Sequence, residues 1–319
     1  MGAGFYQPSM TDKKKLFIEH DGAIDDLLAQ LLVLCMPGFR LAGINVTPAD
    51  CYIIPALDAT HKILQLFGQT HVPVGRSYAR AVHEFPAAWR AKTSIINALP
   101  ALLRLADSPD PDSYPEACSL LEKVLSESDE PVHLLITGPC SNLVKVLEKN
   151  PQLRSSLASV VWMGGAFRTG GNVQHYEHDG SAEWNVFWDP ESSARLLEME
   201  LPLTAIPLDV TDKVPVKMDF LRQLAREGSG KASELAGQFW SLTVDTIPGY
   251  HYTYYMWDIL AAAFLEIPEC FAVEEIKAEV SVKAPEAGRT KETTGGHRLR
   301  VAFDVDENAF YRYLLERLN

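Results

Sequence analysis

The chain alternates short apolar runs with stretches of helical apolar spacing over most of its length. Residues 16–18 form an apolar run typical of a buried strand, and residues 26–36 have helical spacing that stops at Pro37. A strand, a helix and a strand follow in that order, at residues 39–47, 54–67 and 72–75. This order predicts a parallel sheet with helices on both faces.

The alternation continues to the end of the chain, interrupted by three long irregular connections at residues 76–93, 167–189 and 245–255. Such connections are often binding loops. Strands are predicted at 132–136, 157–163, 203–207, 272–282 and 297–305, the last two as a pair added at the sheet edge. Helices are predicted at 116–126, 190–198, 217–226, 232–244, 257–265 and 309–318. A further helix is predicted to follow residue 142 and to end near residue 149.

These elements predict one α/β domain, residues 15–319, after a disordered lead-in, residues 1–14. We expect an open, mostly parallel, twisted sheet with its active site at the carboxyl ends of the strands.

Composition and charge limit the classes of function that the chain can have. The formal net charge of −13 argues against nucleic acid or an anionic membrane as partner, because both require basic surface. The five cysteines show no metal or disulfide spacing, which is typical of a reducing compartment. No apolar stretch approaches the length of a membrane span, and we therefore predict a cytoplasmic protein.

Three carboxylates crowd the turn between the first strand and the first helix. Asp21 and Gly22 follow the strand, and Asp25 and Asp26 open the helix. Carboxylates gathered at a strand end repel one another unless a cation neutralises them, so the turn indicates a hard metal ion. Helix capping is the alternative for Asp25 and Asp26, whereas Asp21 precedes the helix and gains little from capping.

Other oxygen ligands come from later in the chain. Asp50 follows the second strand, Thr137 follows another, and Asp258 opens a late helix. Calcium takes six to eight oxygens from carboxylates, carbonyls and water. Asp21, Asp26 and Asp258 with the Thr137 carbonyl would form a partial shell, one assembly among several that the spacing allows.

A second polar site is predicted around residue 184. Glu183 and Asn185 alternate with Trp184 and Val186, so in an extended segment their side chains would point to one side. A carboxylate beside a carboxamide suits the vicinal hydroxyls of a sugar. An ordinary polar loop is the alternative.

Two tryptophans, Trp89 and Trp257, belong to irregular stretches that could contact a ligand. An indole in such a segment can stack on a ligand ring, or it can simply cover the core. His251, in the third irregular stretch, is a weak candidate for a proton donor.

Several of these motifs together resemble the calcium-dependent nucleoside hydrolases. The turn His20-Asp-Gly-Ala-Ile-Asp-Asp26 is similar to the aspartate signature of that family. Later blocks match in order: Thr137-Gly-Pro-Cys-Ser-Asn142, Met163-Gly-Gly-Ala166, Gly171-Asn-Val173, Ala182-Glu-Trp-Asn185 and Trp257-Asp258. Phe85-Pro-Ala-Ala-Trp-Arg90, Asp50 and Trp257 make the purine-preferring inosine–adenosine–guanosine branch the most similar.

The resemblance implies a Rossmann-like nucleoside hydrolase fold, a homodimer, and hydrolysis of purine ribonucleosides to free base and ribose. Its implied calcium ligands are Asp21, Asp26, Thr137 through its carbonyl, and Asp258, with Asp21 also the general base. Its implied substrate contacts are Asp25, Met163, Asn172, Glu183 and Asn185 at the ribose, Trp89 and Trp257 around the purine, and Asp50 near the base. Glu19 stands where the wider family has aspartate, and Ala23 where the purine branch has asparagine.

Other functions stay open. A nucleoside hydrolase of broad or pyrimidine preference would keep the same ribose chemistry. A calcium-dependent nucleoside-binding protein would keep the sugar contacts without needing a general base. A phosphatase with Asp-x-Asp at its first strand is disfavoured, because Glu19 would replace its nucleophile.

Overall fold

A computed structural model describes residues 13–88, 90, 93–243 and 253–319, with backbone only at 93 and 94. Within these ranges, one sheet has the strand order β3-β2-β1-β4-β5-β6-β9-β7-β8. Its strands are β1 Lys14–His20, β2 Phe39–Val46, β3 Val74–Arg76, β4 Val132–Ile136, β5 Leu157–Met163, β6 Leu203–Ile206, β7 Phe271–Val280, β8 Thr290–Glu292 and β9 His297–Val305. Of the predicted lead-in, residues 1–12 lie outside the described ranges, and Lys14 already belongs to β1.

The sheet is parallel from β3 through β9, which confirms the predicted architecture. The added strand pair is also confirmed: β7 runs antiparallel to β9 beyond the parallel block. The sequence prediction missed β8, which pairs antiparallel with β7 over three residues, too few for a period-2 pattern to be visible.

Helices flank the sheet at nearly the predicted positions: α1 Ile24–Cys35, α2 Ile53–Leu66, α3 Thr93–Ile96, α4 Pro100–Leu103, α5 Ala117–Glu127, α6 Ser141–Lys149, α7 Trp184–Trp188, α8 Pro190–Glu198, α9 Leu208–Thr211, α10 Met218–Glu227, α11 Lys231–Ser241, α12 Trp257–Ala263 and α13 Glu307–Leu318. Four of them, α3, α4, α7 and α9, were not predicted. Each is only one helical turn long, so it carries no apolar periodicity. None of the helices in the described ranges is long and apolar enough to cross a bilayer.

The central strand β1 is buried on both faces. Leu16 and Ile18 pack into the cluster that α1, α2, α11 and α12 share, whereas Phe17 belongs to the opposite cluster with α5 and α6. Successive strand residues point to opposite faces, so a strand covered on both sides needs an unbroken apolar run. This explains the pattern at residues 16–18.

The strand order reverses between β1 and β4. Strand β2 lies beside β1, and β3 lies beside β2 at the edge of the sheet. The next strand in the chain, β4, pairs with the opposite side of β1. In open parallel sheets, the crevice at such a switch point, beyond the carboxyl ends of the strands, is where ligands bind. Asp21 follows β1 and Thr137 follows β4, so the two predicted residues flank this crevice.

Candidate active site

A sharp turn connects β1 to α1 at the switch point. Gly22 has φ of +80°, and a Cβ there would lie 2.6 Å from the Ala56 Cβ and 2.9 Å from the Cys51 Sγ. Only glycine adopts this conformation without strain, and no side chain would fit. The turn therefore brings Asp21 and the first turn of α1 together at the end of the sheet.

Asp26 ties this turn to the neighbouring strand. Its Oδ2 accepts the Ala23 N–H at 2.9 Å, and its Oδ1 accepts the Asp21 N–H at 3.2 Å and the Thr137 hydroxyl at 2.5 Å. The capping alternative is thus correct for Asp26. Capping does not exclude a second role, because each carboxylate oxygen has more than one acceptor direction.

Three carboxylates converge where α1 meets α12. Oxygens of Asp25, Asp26 and Asp258 all lie within 4.8 Å of one another, and Asp26 and Asp258 are buried. In the described part of the chain, none of the three pairs with a lysine or arginine. Burial first, and then Asp26, raises the pKa of Asp25 to about 7; burial followed by Asp25 raises the pKa of Asp258 well above its usual range.

These residues fit a hard divalent cation. The donor set is entirely oxygen, it is anionic, and no basic side chain of the described residues neutralises it. Asp25, expected at the ribose, also belongs to this group, whereas Asp21 lies beside it, with its N–H bonded to Asp26, and stays a predicted ligand.

Asp21 lies beside the triad and is 2 % exposed. Its Oδ2 accepts the Asp50 N–H at 3.2 Å, so the two predicted site residues are neighbours. Burial chiefly, with the charges of Asp26 and Asp50 and then Asp25, raises the pKa of Asp21 well above the usual range. Such a carboxylate is a stronger proton acceptor than an exposed aspartate.

The prediction that Glu183 and Asn185 belong to an extended segment is wrong. Glu183 is the N-cap of α7, and Asn185 lies within that one-turn helix. The Glu183 carboxylate accepts three backbone N–H groups, from Asn185 at 2.8 Å, Gly165 at 3.1 Å and Val186 at 3.3 Å. Capping therefore bonds the Glu183 carboxylate to the backbone of Asn185.

Asn185 links this helix to the strand ends. Its Nδ2 donates to the Thr137 carbonyl at 3.0 Å and to the Met163 carbonyl at 3.2 Å. Asn172 lies on the other side of α7, where its Oδ1 accepts the Trp184 N–H at 3.1 Å. Four predicted substrate or metal contacts therefore lie around one end of α7.

Trp257 and Asp258 are consecutive at the start of α12, so the indole lies next to the carboxylate triad. Tyr254 connects the two: its hydroxyl donates to Asp25 Oδ1 at 3.0 Å, and its ring meets Trp257 edge-on, with centroids 4.9 Å apart. Trp89 and residues 244–252, which include His251, lie outside the described residues.

Some residues of the site were not predicted from the sequence. Tyr254 lies in the third irregular stretch but was given no role, and Asp212, whose Oδ1 accepts the Trp257 indole N–H at 3.3 Å, belongs to no motif. Phe85, in the first irregular stretch, is buried and stacks on Trp184 with centroids 4.6 Å apart. These contacts join segments far apart in the chain, and no local pattern signals them.

Comparison with known proteins identifies a family for this chain. The sequence profile of the family described as inosine-uridine preferring nucleoside hydrolase matches residues 16–312. The chain belongs to this family. It is therefore a nucleoside hydrolase, and the predicted fold and ribose chemistry agree with that membership.

Individual relatives resemble this nucleoside hydrolase over nearly their whole length. A solved inosine-uridine preferring nucleoside hydrolase from Bacillus anthracis is 37% identical, with a TM-score of 0.87 over 96% of this chain and 98% of that one. The pyrimidine-specific ribonucleoside hydrolase RihA of Klebsiella pneumoniae is 27% identical, covering 95% of this chain and 97% of its own. A purine-preferring ribonucleoside hydrolase from Gardnerella vaginalis, 24% identical with a TM-score of 0.79 over 96% and 98% of the chains, shares the fold.

Proposed function

We propose that this nucleoside hydrolase acts on purine ribonucleosides, with calcium in the carboxylate triad and Asp21 as the general base. The observation that carries the proposal is the oxygen-only triad at the switch point, two of its three members buried, near Glu183 and Asn185. A bound divalent cation would supply positive charge that holds sugar hydroxyls and acidifies a water molecule. Asp25, Asp26 and Asp258 would hold it together with the predicted ligands Asp21 and the Thr137 carbonyl.

Asp21 removes a proton from the attacking water. It lies beside the triad, and its Oδ2 accepts the Asp50 N–H at 3.2 Å, which fixes the carboxylate for this role. The sugar becomes oxocarbenium-like as the bond to the base breaks, as in other glycoside cleavages. Carboxylates nearby, Asp21 and Asp25 among them, stabilise the positive charge that develops on the ring.

Glu183, Asn185, Asn172 and Asp25 orient the ribose. The Glu183 carboxylate is fixed by three backbone N–H groups, and the Asn185 amide by two carbonyls, so neither side chain needs to reorganise on binding. Met163 is the last residue of β5, at the carboxyl end of the strand. A rigid set of this kind holds the reacting carbon in line with the water.

The purine preference rests on the aromatic side of the site. An indole face attracts a ring that becomes cationic, and a purine can accept a proton on its imidazole nitrogen as it leaves. Trp257 lies next to the triad and provides such a face, with Trp89 proposed as its partner. Pyrimidine preference is the second candidate, favoured by the 27% identity to a pyrimidine-specific enzyme over 95% of the chain.

Base release from inosine, adenosine, guanosine, uridine and cytidine, before and after treatment with a chelator, tests this proposal. We expect chelator-sensitive release from the three purine nucleosides and little from the other two. Preferential release from uridine and cytidine would refute the purine preference and leave the ribose chemistry in place. Release that a chelator does not alter would refute the metal assignment.

The role of Asp21 needs a separate measurement. Asp21→Ala is expected to lower turnover by about a thousandfold or more, with the fold intact, because the general base is lost. Asp219→Asn, at a side chain that is 91% exposed, is the control for general surface effects. Near-normal turnover in folded Asp21→Ala would remove the assignment. The homodimer stays a prediction from the sequence.

A further inference from the structure

The indole of Trp257 is held by a carboxylate that no motif indicates. Its Nε1–H donates to Asp212 Oδ1 at 3.3 Å, where Asp212 follows α9 at the carboxyl end of β6. On its other sides the indole meets Tyr254 and Tyr255 at interplanar angles of 68° and 57°. Within the described ranges, no ring stacks in parallel on Trp257, so its orientation depends on these edge contacts and on the hydrogen bond.

Backbone pairing explains why Asp212 and Trp257 meet. The Met256 N–H donates to the Val214 carbonyl at 2.9 Å, and the Val216 N–H donates to the Tyr254 carbonyl at 2.8 Å. The segment that follows Asp212 is thus paired with the segment that precedes Trp257. The indole N–H is presented to the carboxylate by main-chain contacts, not by a chance surface encounter.

Asp212 also acts electrostatically on the ribose side of the site. Burial chiefly raises the pKa of Glu183 to about 7, and the negative charge of Asp212 adds to that increase. Asp212 therefore acts on both the Glu183 carboxylate, through its charge, and the Trp257 indole, through the hydrogen bond. A negatively charged acceptor at an indole N–H makes the ring more electron-rich, which strengthens its attraction for a cationic partner.

We propose that Asp212 is a positioning residue for the base: its carboxylate fixes the plane of the Trp257 indole and increases the attraction of that ring for a protonated purine. The inference rests on the proposed stacking of a purine on Trp257. It assigns a task to a residue that contacts neither the carboxylate triad nor the ribose pair.

A double-mutant cycle isolates this effect. Asp212→Leu removes the acceptor and should lower kcat/KM for inosine by about three- to tenfold, the net contribution of an ordinary hydrogen bond, since this one is partly exposed to solvent. Asp212→Asn keeps an acceptor and should lose about twofold, through the lost charge. In Trp257→Phe, which has a ring but no N–H, the same Asp212→Leu change should have almost no effect.

Fluorine NMR on protein labelled with 5-fluorotryptophan provides a readout other than activity. Trp257→Phe identifies the Trp257 signal, and Asp212→Leu should shift it while Asp212→Asn moves it less. Asp107→Leu, at a side chain that is 99% exposed, is the control for a lost surface carboxylate. Asp212→Ala replaces Asp212→Leu if the leucine variant does not fold.

The outcomes are distinct. If Asp212→Leu lowers inosine activity equally in the wild-type protein and in the Trp257→Phe variant, then Asp212 does not act through the indole N–H and the proposal is overturned. An unchanged Trp257 signal in Asp212→Leu would overturn it as well. A shifted signal in an enzyme that releases only pyrimidines would support the positioning of Trp257 by Asp212 and refute the purine preference separately.

Discussion

Replacing Asp258 by asparagine should stabilise the metal-free protein. At an effective dielectric constant of about 20, two unit charges 4.8 Å apart repel by about 3.5 kcal/mol. The Asp258 carboxylate faces two such neighbours, Asp25 and Asp26, and partial protonation of the triad relieves some of the repulsion. We therefore expect Asp258→Asn, which keeps the size of the side chain, to raise the free energy of unfolding by about 1–3 kcal/mol at pH 8 without metal.

The sign of the pH dependence follows from the raised pKa of Asp258. The folded protein holds this proton more tightly than the unfolded chain does. The wild-type protein without metal thus loses stability as pH rises from the usual carboxylate range through the raised pKa. Asp258→Asn lacks the titrating group, so its advantage should be small at pH 5 and largest at pH 8.

Calcium should remove this advantage. A ligand at about 100 times its Kd stabilises the folded state by about 2.7 kcal/mol. The variant has lost one anionic ligand, so it binds calcium less tightly and gains less. Thermal unfolding at pH 8 should place the variant about 2–6 °C above wild type in chelator, with the gap closed or reversed in calcium.

Two results would refute this reasoning. If Asp258→Asn melts below wild type in chelator at pH 8, then repulsion within the triad is not a dominant cost. If calcium stabilises both proteins equally, then Asp258 does not contribute to its site. Asp219→Asn, at an exposed side chain, should change neither quantity.

Two further variants probe the supports of the site. Gly22→Ala should destabilise the protein by about 2 kcal/mol or more, because its Cβ would meet Ala56 and Cys51 at a positive φ; thermal unfolding measures this, and an unchanged midpoint would contradict the close packing. Glu183→Gln should cost about 1–3 kcal/mol, because an amide NH₂ must face a backbone N–H that the carboxylate now accepts. It should also flatten the activity change that ionisation of Glu183 produces as pH rises through about 7, and a pH profile unaltered by the substitution would exclude Glu183 as its source.

The local parts of this site could be predicted from the sequence. The apolar run of β1 and the carboxylates after it lie within one short stretch, so the strand, the turn and the first helix were predictable together. The order of strands and helices indicated a parallel sheet, and a parallel sheet brings the ends of β1 and β4 to one edge. Thr137 could therefore be placed near Asp21 without a structure.

Other parts depended on tertiary packing. Asp25 joins the triad only because α1 packs against α12, which brings Asp258 to the first turn of α1. Glu183 and Asn185 were paired for the wrong reason, since a one-turn helix has no periodicity to reveal it. Asp212 reaches Trp257 through main-chain pairing between distant segments, and hydrogen bonds of this kind leave no sequence pattern.

The two ends of the site are attached to the molecule in different ways. The sugar end is held by backbone amides at the strand ends, where Asp26 caps α1 and Glu183 caps α7, so a change there disturbs the fold itself. The proposed base end depends on side chains, Trp257 and Asp212, which can be exchanged without loss of a cap or strand. Substitutions at the base end can therefore change which base is released while the residues that hydrolyse the bond stay the same. Purine and pyrimidine enzymes can diverge in this way on one fold.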